Sequence, residues 1–199
     1  MKSIHAAAAI ALVSIIAAGC KPAPAPEAAA PAEAAPAPAA VVAEVPVLTV
    51  SKSVSITATA DAVWAKAKDF NNLNGWHPAV AKTEIVEGSN NTVGAVRLLT
   101  LAGDTPATVK EKLTAFDDAG KSYSYEIIEG VLPVTAYSST ITVAADGADK
   151  ATVTWSSTFK RADASATPAA GKDDATATTT IEGVYTAGLD NLKKVLEAK

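Results

Sequence analysis

From Val47 to Ala58 the chain reads "VLTVSKSVSITA", a run of valine, isoleucine, serine and threonine that predicts a first strand. A change of period follows. In "DAVWAKAKDF" the apolar Val63, Trp64, Ala67 and Phe70 recur at helical spacing, with Asp61 placed to cap the segment. The polar "NNLNG" interrupts that pattern, and Trp76-His77-Pro78 then opens a second short helix or turn, because a residue before proline is biased away from the helical region. Beyond this point the period becomes two. "AKTEIVEG", "GAVRLLTL", "ATVKEKLTAF", "KSYSYEII", "VTAYSSTITVA" and "KATVTWSSTF" alternate apolar and polar residues, separated by "SNNTV", "AGDTP", "DDAG", "EGVLP" and "ADGAD", which predicts six strands joined by turns. After a polar interval from Arg161 to Asp174, the residues Ile181, Val184, Tyr185, Gly188, Leu189, Leu192, Val195 and Leu196 fall on one stripe. This is the clearest amphipathic helix in the chain.

Hairpin-connected strands make an antiparallel sheet, and a long one-sided helix needs a sheet face to cover it. The predicted class is therefore α+β: a seven-stranded curved antiparallel sheet around a long C-terminal helix, with two short helices after the first strand. A sheet curved around one helix leaves a hollow, and hollows of that kind bind ligands. Strand periodicity says which side chains face it. Val109, Glu111 and Leu113 share one face, as do Tyr123, Tyr125 and Ile127, then Tyr137, Ile141 and Val143, then Val153, Trp155 and Phe159. The inner wall is thus expected to be apolar and aromatic, with Glu111 and tyrosine hydroxyls as its polar points. Arg97 alternates away from Val96 and Leu98, so it is expected to reach Glu111 only through a twist or bulge.

Ahead of these elements the composition changes twice. "MKSIHAAAAIALVSIIAAGC" has a basic start, an apolar run and small residues before Cys20, the pattern of a secretory signal over 1–19. The apolar run is short of the roughly 20 residues that span a bilayer. Ala17-Ala18-Gly19-Cys20 resembles the lipobox of bacterial lipoproteins, in which the cysteine is acylated, although Ala17 stands where leucine is usual. Cys20 is the chain's one cysteine, so no disulfide partner competes for it. By resemblance to proteobacterial sorting rules, Lys21 in place of aspartate implies the outer membrane. Residues 20–46 are almost wholly Ala, Pro and Glu, a composition that forms no core and extends to roughly 80 Å at about 3.1 Å per residue. These readings divide the chain into a signal (1–19), a lipidated tether (20–46) and one domain (47–199).

The net charge of −4 and the lack of a basic run argue against nucleic-acid binding. No paired Cys-x-x-Cys, His-Glu-x-x-His, glycine-rich phosphate loop or Gly-x-Ser-x-Gly is present. No cofactor is implied. With two histidines in all, one of them in the signal, a histidine-rich metal site is excluded. Two groups carry candidate chemistry. Glu111 in an apolar wall is costly unless paired or hydrogen-bonded, so it binds a ligand group or water, carries a raised pKa, or is satisfied by an arginine or tyrosine. His77 is either an acid-base group at the pocket entrance or a rim histidine that satisfies backbone groups beside Pro78.

The element order and the segments "VWAKAKDFNNLNGWHPAV", "VGAVRLLTLAGD", "YSYEIIEGVLPVTAY" and "GVYTAGLDNLKKVLE" resemble the helix-grip superfamily. That superfamily includes START domains, the birch-pollen-allergen type, and polyketide cyclase/dehydrase and lipid-transport proteins. The resemblance implies a hydrophobic ligand between the long helix and the sheet. By position, Ala102-Gly103-Asp104-Thr105-Pro106 and Gly130-Val131-Leu132-Pro133 resemble the gate and latch loops of the plant abscisic-acid receptors of this superfamily. Trp76 stands where those receptors carry their carboxylate-binding lysine, and Pro133 replaces the latch arginine, so that hormone is not the expected ligand. The expected function is a periplasmic, membrane-tethered binding protein for an apolar small molecule or lipid, touched by Trp76, His77, Glu111, Tyr125, Leu132, Tyr137 and Trp155. The alternatives are a cyclase/dehydrase-like enzyme using Glu111 or His77, with Tyr125 or Tyr137 positioning a carbonyl, and an accessory protein docking on a periplasmic partner.

Overall fold

The first strand, β1 (Leu48–Ile56), is followed by the helix α1 (Ala60–Ala67) and then by six strands in hairpin sequence. These are β2 (Val80–Glu87), β3 (Val96–Leu101), β4 (Thr108–Asp117), β5 (Ser122–Gly130), β6 (Val134–Ala145) and β7 (Ala151–Arg161). The computed structural model describes residues 44–105 and 107–198; the signal, Cys20 and nearly all of the tether lie outside them. All seven strands form one antiparallel sheet in the order β1-β7-β6-β5-β4-β3-β2. Short turns force sequence neighbours from β2 to β7 to pair, and β1 closes the far side by pairing with β7 from Leu48 opposite Phe159 to Ile56 opposite Ala151. The 24-residue helix α2 (Asp174–Glu197) completes the chain.

Local chemistry explains where the helices begin. Thr59, not Asp61, caps α1: its side chain accepts the Ala62 N–H at 3.2 Å, while Asp61 sits in the first turn, where a negative charge favours the helix dipole. Val63, Trp64 and Ala67 form the buried face of α1. The second helix expected around Trp76 is one 3-10 turn, Leu73–Gly75, and the Trp76-His77-Pro78 triplet closes that turn. The backbone N–H groups of Trp76 and His77 both bond to the Leu73 carbonyl, at 3.1 and 2.8 Å. For α2 the cap is Asp173, whose carboxylate accepts the Thr176 N–H at 2.7 Å, so the helix starts well before the apolar stripe at Ile181. Its buried residues Ala177, Ile181, Tyr185, Gly188, Leu189 and Leu192 face the sheet.

Two ends of the sheet differ in what they carry. At one rim lie the start of β1, the ends of β5 and β7, the β3–β4 and β5–β6 loops and the beginning of α2, as the pairings Leu48 with Phe159, Val134 with Arg161 and Val109 with Gly130 require. The opposite rim is fastened by the end of α2: Glu197 accepts the Thr57 N–H at 2.7 Å, and Lys193 donates to the Ser55 carbonyl at 2.8 Å. The register of β6 against β7 shifts between Thr135 and Ser138, and Ala136 within this bulge has φ 48°. Tyr137 at the end of the bulge, and Ser139, Ile141 and Val143 beyond it, are all buried.

Candidate ligand-binding cavity

Between α2 and the sheet lies a partly open cavity of about 90 Å³. Ile181 and Val184 of α2 form its roof, and its walls are mostly apolar side chains of β3, β4 and β5 together with Tyr137, Trp155 and His77. Leu132, in the β5–β6 loop, lines this cavity and also two outer hollows of about 560 and 200 Å³. The larger hollow runs between Val131–Pro133 and the β7–α2 loop, where Ala162, Asp163, Gly171 and Lys172 complete it. Half-buried Leu132 is thus shared by the cavity and both outer hollows.

Glu111 is the one charged side chain lining the cavity among the described residues. It faces Arg97 directly across the β3–β4 ladder. Arg97 is fully buried, and its Nε donates to Glu111 Oε2 at 2.6 Å. Its Nη2 lies 2.6 Å from the same oxygen as a charge contact, without the alignment of a hydrogen bond. Nη1 donates to the Phe70 carbonyl at 2.9 Å, and the guanidinium carbon lies 4.0 Å from the Phe70 ring centre and 5.2 Å from that of Tyr125. Arg97 thus points inward, in a regular ladder with β4, while the register with β2 shifts between Ile85 and Glu87, opposite Arg97 and Val96. Its inward partner on β3 is Leu99, which pairs with Val109 as Arg97 pairs with Glu111. Burial pushes the Glu111 carboxyl above the ordinary carboxylate value, against the pull of Arg97. Arg97 stays charged: burial opposes its charge, but Glu111 and the nearby tyrosines raise its pKa overall.

A second polar group runs beside this pair. Ser139 Oγ donates to the Ser156 carbonyl at 2.9 Å, so toward its other neighbours it can only accept. Tyr185 Oη, 2.9 Å away, is then the donor to Ser139, and Tyr137 Oη, 2.6 Å from Tyr185, donates in turn to Tyr185. Trp155 Nε1–H is shared between Ser139 Oγ and Tyr125 Oη, each at 3.0 Å. Trp155 also stacks on Tyr185 at 4.4 Å between ring centres. Burial raises the pKa of Tyr125, Tyr137 and Tyr185, so all three hydroxyls keep their protons at neutral pH. Sequence periodicity had grouped Tyr137 with Ile141 but passed over Ser139 between them, and it assigned Tyr185 only to an apolar stripe.

His77 is buried, and both ring nitrogens are engaged. The Ala79 N–H donates to Nδ1 at 3.2 Å, which leaves the proton on Nε2, and Nε2–H donates to the Val184 carbonyl of α2 at 3.0 Å. Burial lowers the pKa of His77, and the charge on Arg97 lowers it further, so the ring is neutral at pH 7. Asn191 holds the same corner by donating to the Trp76 carbonyl at 2.8 Å. Trp76 packs edge-on against Trp155 with ring centres 5.7 Å apart and does not line the cavity; its Nε1 has no partner among the described residues. His77, Glu111, Tyr125, Leu132, Tyr137 and Trp155 all line it. Cys20 lies outside the described residues. Among the described residues no group of three or more His, Cys, Asp or Glu is placed to hold a metal ion.

Residues 47–197 match the model of the family described as polyketide cyclase/dehydrase and lipid transport, and the chain belongs to that family. Among solved structures it is similar to the protein XoxI from Bacillus cereus, with 28% identity over 75% of this chain and 96% of that one and a TM-score of 0.66. An uncharacterised protein from Bacillus thuringiensis is 29% identical over 75% of this chain and 98% of that one, with a TM-score of 0.63. An aromatase/cyclase from a Streptomyces species shares the fold, at 20% identity over 76% of this chain and 94% of that one and a TM-score of 0.60. The helix-grip architecture expected from the element order is the one observed.

Proposed function

We propose that this member of the polyketide cyclase/dehydrase and lipid transport family is a membrane-tethered periplasmic binding protein that holds an apolar small molecule or lipid between α2 and the sheet. The observation that carries this reading is the cavity between α2 and the sheet, whose wall is apolar apart from Glu111, His77 and the aromatic polar groups. At about 90 Å³ it is well below the roughly 300–1,000 Å³ of ordinary ligand pockets. On this reading a guest larger than about one ring enters only if Leu132 swings out and joins the cavity to the outer hollows that it also lines. The tether and the acylated Cys20 supply membrane attachment, by the lipobox resemblance, and Lys21 directs the protein to the outer membrane.

The test is to recover the protein from its host and identify what is extracted from it by mass spectrometry, alongside titration with a fluorescent apolar probe. A bound apolar compound displaced by the probe is the expected result. A chain that carries nothing and binds no probe overturns the reading. Fatty-acid labelling of the chain, lost in Cys20→Ser, tests the anchor.

Glu111, its carboxyl pKa raised by burial, lines the same cavity as Tyr125, which supports a second reading, an acid-base enzyme of the cyclase/dehydrase kind. His77 is a poor base for it, since accepting a proton at Nδ1 breaks the bond from Ala79. Full turnover of a discovered substrate by Glu111→Gln would remove Glu111 from that role.

A further inference from the structure

His77 is the one histidine among the described residues, and it lines the cavity where the wall meets α2. Ala79, whose N–H donates to Nδ1, lines the same cavity, as does Val184, whose carbonyl takes the Nε2 proton. This pair of bonds requires a neutral ring. A second proton must go to Nδ1, where the Ala79 N–H already points, so it meets a donor where it needs an acceptor. The ring has little room to turn away: Trp155 stands edge-on at 5.9 Å between ring centres, and a Cβ added at Gly188 would lie 2.6 Å from His77 Cδ2.

The neighbouring groups give a charged imidazole no help. From β3 the buried guanidinium of Arg97 opposes it, and from β4 Glu111 lines the same cavity but is bound to Arg97. The tyrosines that β5, β6 and α2 bring to this region, Tyr125, Tyr137 and Tyr185, keep their protons. Water is then the acceptor for a proton on Nδ1. At about 90 Å³ the cavity has room for it, since one water takes up roughly 30 Å³ in the liquid. An apolar guest expels that water and offers no acceptor in its place.

We propose, resting on the binding reading above, that an apolar guest and a proton on His77 compete, so that the cavity holds its guest while His77 is neutral and releases it on acidification. By linkage, a guest that binds only the neutral form also makes His77 harder to protonate. Affinity is then constant above the ordinary histidine range and falls by up to tenfold per pH unit below the folded pKa.

Toluene, an uncharged single ring with no titrating group, is the probe, so any pH dependence belongs to the protein. Its binding to the intact protein is followed by NMR at the indole N–H of Trp155, and the His77 ring signal, identified by its absence from His77→Gln, is titrated with and without toluene. The expected results are a loss of toluene affinity that tracks protonation of His77, and a His77 midpoint displaced to lower pH when toluene is bound. Glu111 is the other cavity group whose charge changes in acid. His77→Gln keeps Glu111 and is expected to flatten the decline. Toluene affinity that stays constant while the His77 signal titrates, or a midpoint that toluene leaves unmoved, overturns the competition and leaves the cavity a binding site. If toluene binds at no pH, the binding reading itself fails and the competition falls with it.

Discussion

Two glycines on α2 share a backbone and differ in what surrounds them. A methyl group on Gly188 would lie 2.6 Å from His77 Cδ2, 2.9 Å from Trp155 Cζ3 and 3.0 Å from His77 Nε2, whereas one on Gly183 meets nothing within 4 Å. Alanine in place of glycine within a helix is favourable by about 0.5–1 kcal/mol. That is the whole expected effect of Gly183→Ala. At Gly188 neither ring can yield cheaply: His77 is tied at both nitrogens, and Trp155 is stacked on Tyr185 and hydrogen-bonded at its indole nitrogen. Overpacking costs about 1–3 kcal/mol, and loss of the His77 bond to Val184 adds about 1 kcal/mol. After the helix gain is subtracted, Gly188→Ala is destabilised by about 1–3 kcal/mol. For a domain of this size each 1 kcal/mol moves Tm by about 2–4 °C. Thermal melts of the two variants should therefore shift in opposite directions. Equal stabilisation by both would refute the close approach of His77 and Trp155 to α2.

Three further outcomes follow from the same geometry. Because burial depresses the pKa of His77, the unfolded chain binds the extra proton more readily below 6.5; the stability His77 contributes is complete above that value and is lost as pH falls toward its folded pKa. Melts between about pH 7.5 and 5.5 should show this decline, and His77→Gln should flatten it, since His77 is the only histidine in the domain. Ala136, at φ 48°, should accept glycine with little change or a small gain, whereas Ala136→Val should cost about 1–3 kcal/mol in urea denaturation, because a β-branched residue is strained there. Arg97→Leu should lose about 3–5 kcal/mol by leaving Glu111 buried without its partner, and the double variant with Glu111→Leu should recover much of that loss.

The element order was legible because each element repeats its pattern over enough residues to fix its period. Glu111 was placed inward for the same reason: Val109 and Leu113 flank it at spacing two and bury with it. Arg97 escaped because β3 carries the doublet Leu98-Leu99, which fits either face, and only the pairing with β4 selects the face that holds Arg97 and Leu99. The second short helix after β1 was over-read. The proline marked an interruption, but Leu73–Gly75 makes one tight turn before it and β2 begins at Val80. The link from Tyr137 through Tyr185 to Ser139 was hidden for another reason. A tyrosine within an apolar helical stripe and a serine in a strand rich in serine and threonine carry no local mark of contact, although they lie 46 residues apart and touch.

The start of β1 lies on the same rim as Leu132 and the loops around it. The chain thus enters the domain on the side of Leu132 rather than at the rim fastened by the end of α2. On the proposed anchoring, shortening the alanine-proline segment is therefore expected to change transfer of an apolar guest from vesicles to the protein without altering a single residue of the binding fold.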